Sequence, residues 1–174
     1  ITLCTTDFDF KMQIVAGNHG IKYSLVKDIK SMKFDCVIGN PPYNTPKQEG
    51  STRTGQLYVD FVQLCTTLSQ NINLVIPSLW TDKHSSLKTT VISFGLKLIS
   101  ESSSYFNIDV NTCYIMLEKG YKGRCTIINK FGEEYSHNLS SDDTIYLNSP
   151  LSHQHIISKV SSYGYDSLSL FWNR

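Results

Sequence analysis

Residues 34–43 read Phe34-Asp35-Cys36-Val37-Ile38-Gly39-Asn40-Pro41-Pro42-Tyr43. A short apolar run stops at a glycine and passes into two consecutive prolines. Each proline fixes its own φ and pushes the residue before it toward extended geometry. Phe34 to Gly39 is therefore expected to be a buried strand that delivers Asn40 to Tyr43 as a stiff loop. Downstream, residues 44–56 are polar, rich in Gly, Ser and Thr, and lack an apolar period, which predicts a loop. Leu57 to Ser69 has helical spacing, with Leu57, Phe61, Leu64, Cys65 and Leu68 on one face. Asn73 to Ile76 is a short strand ended by Pro77-Ser78, and Ser85 to Leu98 is a second helix. Tyr105 to Val110 and Thr112 to Leu117 are expected to form a hairpin, with Asn111 near the join. Upstream, Ile1 to Thr6 and Ile21 to Val26 read as strands, with a short helix over Lys11 to Gly17 between them. Strands alternating with helices give an α/β fold: a parallel sheet with helices on both faces and an antiparallel hairpin at one edge.

The loop carries chemistry. An aromatic amino nitrogen is a poor nucleophile because its lone pair is delocalised into the ring. Two acceptors aimed at its hydrogens draw it toward tetrahedral geometry. Asn40 offers a side-chain carbonyl, and Pro41 a main-chain carbonyl with no N–H beside it. The paired prolines keep both acceptors preorganised. Tyr43 supplies a ring face on which an extruded base stacks. An ordinary turn with a packed tyrosine would also satisfy the tetrapeptide alone. The order strand, Gly, Asn, Pro, Pro, Tyr is much rarer than the tetrapeptide.

Asn40-Pro41-Pro42-Tyr43 after a strand resembles the signature of S-adenosylmethionine-dependent amino-group methyltransferases, above all N6-adenine DNA methyltransferases of restriction-modification type. Leu57-Tyr58-Val59-Asp60-Phe61-Val62 resembles the helix that follows their catalytic loop. Leu74-Val75-Ile76-Pro77-Ser78-Leu79-Trp80 resembles their next strand and its Pro-Ser turn. Phe106-Asn107-Ile108-Asp109-Val110-Asn111-Thr112 resembles the late hairpin whose phenylalanine contacts the flipped base. The resemblance implies a partial Rossmann-like methyltransferase sheet and double-stranded DNA as partner. Catalysis would fall to Asn40, Pro41 and Tyr43, with Tyr43 and Phe106 stacking on the base. It further implies S-adenosyl-L-methionine as cofactor, Asp7 in the turn Asp7-Phe8-Asp9-Phe10 as the ribose-binding acid, and Asp28 as the contact to the cofactor's adenine. A cytoplasmic protein, bacterial or phage-encoded, is what such a family implies.

The chain departs from the family in one place. The glycine-rich methionine-site motif, Asp-x-x-x-Gly-x-Gly on the first strand, has no match; Gly17 and Gly20 stand on the wrong side of Asp7. That strand would lie between the ribose-acid strand and the catalytic strand. The expectation is a downstream part of a longer methyltransferase, residues 1–120, with the first strand supplied by a missing N-terminal part or a partner subunit. Residues 121–174 would begin a target-recognition region, on position alone. Two other readings share the motif: a protein glutamine-N5 methyltransferase of release-factor type, and a non-catalytic DNA-binding or assembly subunit. The glutamine enzymes usually follow the tyrosine with isoleucine, where Asn44 stands here.

Composition narrows the rest. The 174 residues carry a formal charge of +1 and five scattered cysteines, an odd number without paired spacing, which reads as reduced and intracellular. No apolar run reaches the ~20 residues of a membrane span. Lys119, Lys122, Arg124 and Lys130 form a mildly basic stretch, suited to phosphates or simply to solvent. His153 and His155 lack a cysteine or carboxylate at ligand spacing, so no metal is expected.

Overall fold

The computed structural model describes residues 2–5, 17–18, 20, 22–25, 31–44, 56–81, 85–106 and 110–162. Two strands at the start, β1 (Thr2–Thr5) and β2 (Lys22–Leu25), pair in parallel as a sheet of their own. The main sheet contains β3 (Val37–Gly39), β4 (Asn71–Pro77), β5 (Leu96–Glu101), β6 (Thr112–Glu118), β7 (Cys125–Ile128) and β8 (Glu134–His137). Its order is β3-β4-β6-β5-β7-β8. Helix α1 (Leu57–Leu68) joins β3 to β4, α2 (Ser86–Phe94) joins β4 to β5, and α3 (Leu151–Ser162) follows β8.

Alternation decides which face is buried. Ile72, Leu74 and Ile76 of β4 point one way, with Cys113, Ile115 and Leu117 of β6 and Cys125 and Ile127 of β7 beside them. Tyr58, Val62 and Cys65 of α1 and Leu87 and Val91 of α2 complete this core. The buried stripe of α1 thus runs through Tyr58 and Val62, one residue from the expected Leu57 and Phe61, which are half-buried. Both crossovers advance the same way along the sheet, and right-handed connections then put both helices on one face. On the opposite face Val75, Leu98, Tyr114, Met116 and Ile128 are half-buried, and Ile38 is 80% exposed. Asn73 accepts a 2.7 Å hydrogen bond there from the Tyr114 hydroxyl. The short helix expected over Lys11 to Gly17 lies almost wholly outside the described residues.

Three expectations are corrected. The second helix stops at Phe94, because Gly95 takes φ +130° and returns its N–H to the Val91 carbonyl. Leu96 to Glu101, read as helix and its aftermath, is instead a strand. The partner of Thr112–Glu118 is not Tyr105–Val110: β6 lies inside the sheet, antiparallel to both β4 and β5. An antiparallel hairpin does close one edge, and it is β7–β8. Farther on, Ile145 and Leu147 are buried, and their segment is tied to Thr81 and Lys130 by main-chain bonds of 3.2 and 2.9 Å. Because β7 pairs in parallel with β5, the sheet continues past residue 120.

At the other edge, β3 pairs only with β4 among the described residues, and β1 and β2 pair only with each other. Among the described residues no strand joins the two sheets.

Candidate active site

Four parallel strands end at one rim: β3 at Gly39, β4 at Pro77, β5 at Glu101 and β7 at Ile128. Thr112 opens β6 at the same rim, paired with Pro77. The rim therefore gathers residues 40–43, the 3-10 turn Ser78–Thr81, the 3-10 turn Ser103–Tyr105 with Phe106, and Asn111. Ligand sites of open α/β sheets form at this end of the strands.

Asn40 and Pro42 are exposed, while Pro41 and Tyr43 are half-buried. The Tyr43 carbonyl accepts a 3.4 Å bond from the Tyr58 N–H at the start of α1, which fastens the loop to the helix. The Tyr43 ring packs against the core, and its hydroxyl is shielded from solvent without a hydrogen-bond partner. Burial raises the phenol above its ordinary pKa; the nearby Asn40 side chain works in the opposite direction, although no atom of it meets the hydroxyl in hydrogen-bond geometry. The Trp80 indole N–H is also buried without a partner of good geometry. Cys113, fully buried beside it, is pushed up to about 12 by desolvation. It stays a thiol, a small apolar filler below the loop.

The neighbouring turns are fixed by local bonds. The Ser78 N–H and hydroxyl both donate to the Asn111 carbonyl, at 2.9 and 3.2 Å. The Ser103 N–H donates to the Glu101 carboxylate at 2.6 Å, and the Thr112 N–H to the Ser103 hydroxyl at 2.8 Å. These bonds hold Phe106, half-buried, and Tyr105, 82% exposed, at the rim.

Asn40, Pro41, Tyr43 and Phe106 thus share one end of the sheet. Asp7 and Asp28 lie outside the described residues. The basic stretch divides: Lys119, Lys122 and Arg124 follow β6 at the opposite end, roughly 20 Å from the rim at ~3.3 Å per strand residue. Arg124 there bonds the Ser136 carbonyl. Lys130 follows β7 and lies 5.2 Å from the Phe131 ring centroid. Among the described residues no group of His, Cys, Asp and Glu is arranged to hold a metal ion, and no helix is long and apolar enough to cross a membrane. Trp80 and Cys113, both in the core against which Tyr43 packs, were not picked out from the sequence. The signal available was their phase: Cys113 occupies an inward position of β6.

The profile of the Eco57I restriction-modification methylase family matches residues 5–109. An adenine-specific methylase of Mycoplasma pneumoniae (strain ATCC 29342 / M129), itself uncharacterised, is 27% identical over 117 residues, covering 59% of this chain and 28% of that protein. The chain thus spans under a third of the curated relative it matches. Among solved structures, a modification subunit ascribed to a type I restriction enzyme of Vibrio vulnificus YJ016 matches with a TM-score of 0.53 at 12% identity, over 97% of this chain and 41% of that one. The type I methyltransferase subunit from Streptococcus thermophilus gives 0.48 at 13% identity, over 89% and 38%. The Vibrio likeness speaks to the fold alone. The profile covers well over half of the residues, and on that ground the chain belongs to the Eco57I restriction-modification methylase family.

Proposed function

We propose that this chain carries the acceptor half of a site-specific N6-adenine DNA methyltransferase. The observation that carries the reading is the rim itself: Asn40 exposed at the end of β3, followed by two prolines and a tyrosine anchored to α1. An adenine turned out of a duplex stacks on the Tyr43 ring, with Phe106 at the same rim as a second apolar contact. Its amino hydrogens donate to Asn40 Oδ1 and the Pro41 carbonyl, which localises the nitrogen lone pair. S-adenosylmethionine, when bound, supplies an electrophilic methyl on a sulfonium, and the displaced proton leaves from the amino nitrogen. Preorganised acceptors, rather than a covalent enzyme intermediate, lower the barrier.

Asp7 and Asp28 are the residues of this chain that would hold the cofactor's ribose and adenine. The glycine-rich wall for its methionine end is not found in residues 1–174. That β3 pairs only with β4, and β1 and β2 only with each other, among the described residues supports a donor half completed by polypeptide outside this chain's sequence, from the rest of a longer protein or from a partner subunit. Residues 121–174 would begin the region that reads the target sequence, although their first strands extend the same sheet. Membership in a restriction-modification family favours a DNA base over the side chain of a release factor.

The test is transfer of a labelled methyl group from S-adenosylmethionine by the intact protein that contains this chain. N6-methyladenine in digested duplex DNA is expected. Label in a release-factor glutamine, with none in DNA, would replace this reading with the amide-methylating one.

A further inference from the structure

The Tyr43 hydroxyl is a polar atom without a use in the structure as it stands. It is shielded from solvent and has no hydrogen-bond partner among the described residues, at a position where phenylalanine would pack the same space. A buried orphan hydroxyl costs free energy, and such a group calls for an explanation. Its nearest functional neighbour is Asn40, three residues earlier, whose side chain lies beside it. Two fixed proline φ angles connect them, so the pair moves little.

Asn40 has a problem that this hydroxyl solves. The two ends of a side-chain amide have nearly the same shape and opposite hydrogen-bonding character. Only Oδ1 can accept from an incoming amino group; with Nδ2 turned toward it, donors would face donors. The amide therefore needs an acceptor on its Nδ2 side. The Pro41 carbonyl is already committed to the amine. A phenol oxygen has lone pairs to offer, and burial keeps this one protonated and uncharged.

Resting on the function proposed above, we infer that Tyr43 is a positioning residue for Asn40 as well as a stacking surface. With the base in place its hydroxyl accepts a hydrogen bond from Asn40 Nδ2 and turns Oδ1 to the amino group.

Tyr43→Phe in the intact protein tests this, since it keeps the ring and removes the oxygen. The single-turnover methylation rate is expected to fall roughly tenfold, the worth of one hydrogen bond. Duplex affinity and the fluorescence of an extruded 2-aminopurine should stay unchanged. In an Asn40→Asp background the same substitution should change the rate less than twofold, because a carboxylate has two equivalent oxygens. A full rate in Tyr43→Phe, or equal losses in both backgrounds, overturns the inference. So does a loss of base extrusion matching the loss of rate, which would make the hydroxyl a structural prop. Should Asn40→Asp be too slow to measure, the asparagine side-chain amide signals of the protein–DNA complex decide. Those of Asn40 must shift on Tyr43→Phe, and signals that stay in place overturn the inference. A wild-type protein that binds DNA without methylating it tells against the proposed function alone, and these signals still report the contact.

Discussion

Asn40 concentrates the chemistry of the rim in one side chain. It is exposed, so its truncation removes an acceptor and leaves the core untouched. Asn40→Ala in the intact protein is expected to lower methyl transfer by at least ~10²-fold, the usual loss on removing a preorganised polar group from a reacting centre. Binding of S-adenosylmethionine should be unchanged, because Asn40 addresses the acceptor amine. Near-normal methylation by the variant would remove Asn40 from the mechanism. This residue was readable in the sequence because its setting is local: strand, glycine, prolines and tyrosine follow one another. Lys88 shows the opposite case. It is fully buried and donates at 2.6 Å to the Asp143 carbonyl, 55 residues away. A lysine in a helical pattern ordinarily reads as solvated, and nothing local announces its distant partner.

The elements were legible in kind and less so in their limits. α1 and β4 were recognisable because α1 is amphipathic and β4 alternates around a buried core. The second helix was read through to Leu98 because the apolar residues run on from α2 into β5 without a proline or a polar turn between them. Gly95 makes the difference, and only its backbone reveals this. It adopts φ +130°, and the Glu118 N–H bonds its carbonyl at 2.9 Å while its own N–H caps α2. A Cβ there would overlap the Glu118 carbonyl and the Tyr121 main chain. Gly95→Ala should therefore destabilise the chain by roughly 2 kcal/mol or more, from backbone strain and forced displacement of β6. Urea unfolding followed by tryptophan fluorescence measures this, and a loss under about 0.5 kcal/mol, typical of a neutral surface site, would contradict it. The pairing of β6 was hidden for a related reason. Its inward phase was visible, but a strand's phase does not say which neighbours it joins, and β6 is inserted between β5, which precedes it in sequence, and the more distant β4.

For the whole molecule, the single buried core face and the two sheets have separate consequences. The core holds the Cys113 and Cys125 thiols, both raised by burial from an ordinary 9.0 to about 12. Unfolding exposes them, so the unfolded chain loses these protons first as pH rises. The stability they represent is fully present below about pH 9 and is lost progressively between 9 and 12. The urea midpoint should fall over the first part of that range, and paired Cys113→Val and Cys125→Val substitutions should flatten it. An identical slope in the double variant would trace the fall to other groups. The two sheets bear on the cofactor. Parallel strands are ordinarily covered on both faces and paired on both sides, because their edges carry unpaired N–H and C=O groups. Here, among the described residues, β3 pairs only with β4 and β1–β2 stands as a separate pair, and Ile38 of β3 is exposed. Asp7 and Asp28 follow β1 and β2 in sequence, and Asn40 follows β3. A cofactor held by the first two and addressed to the third would draw on both sheets, and its methionine end would find no glycine-rich wall in this chain. The 174 residues alone should therefore bind S-adenosylmethionine weakly or undetectably by calorimetry. Adding the polypeptide that completes the sheet should restore binding, and protect the β3 amides from hydrogen exchange at the same time. Micromolar affinity in the isolated chain would mean that the donor pocket closes without a strand beside β3.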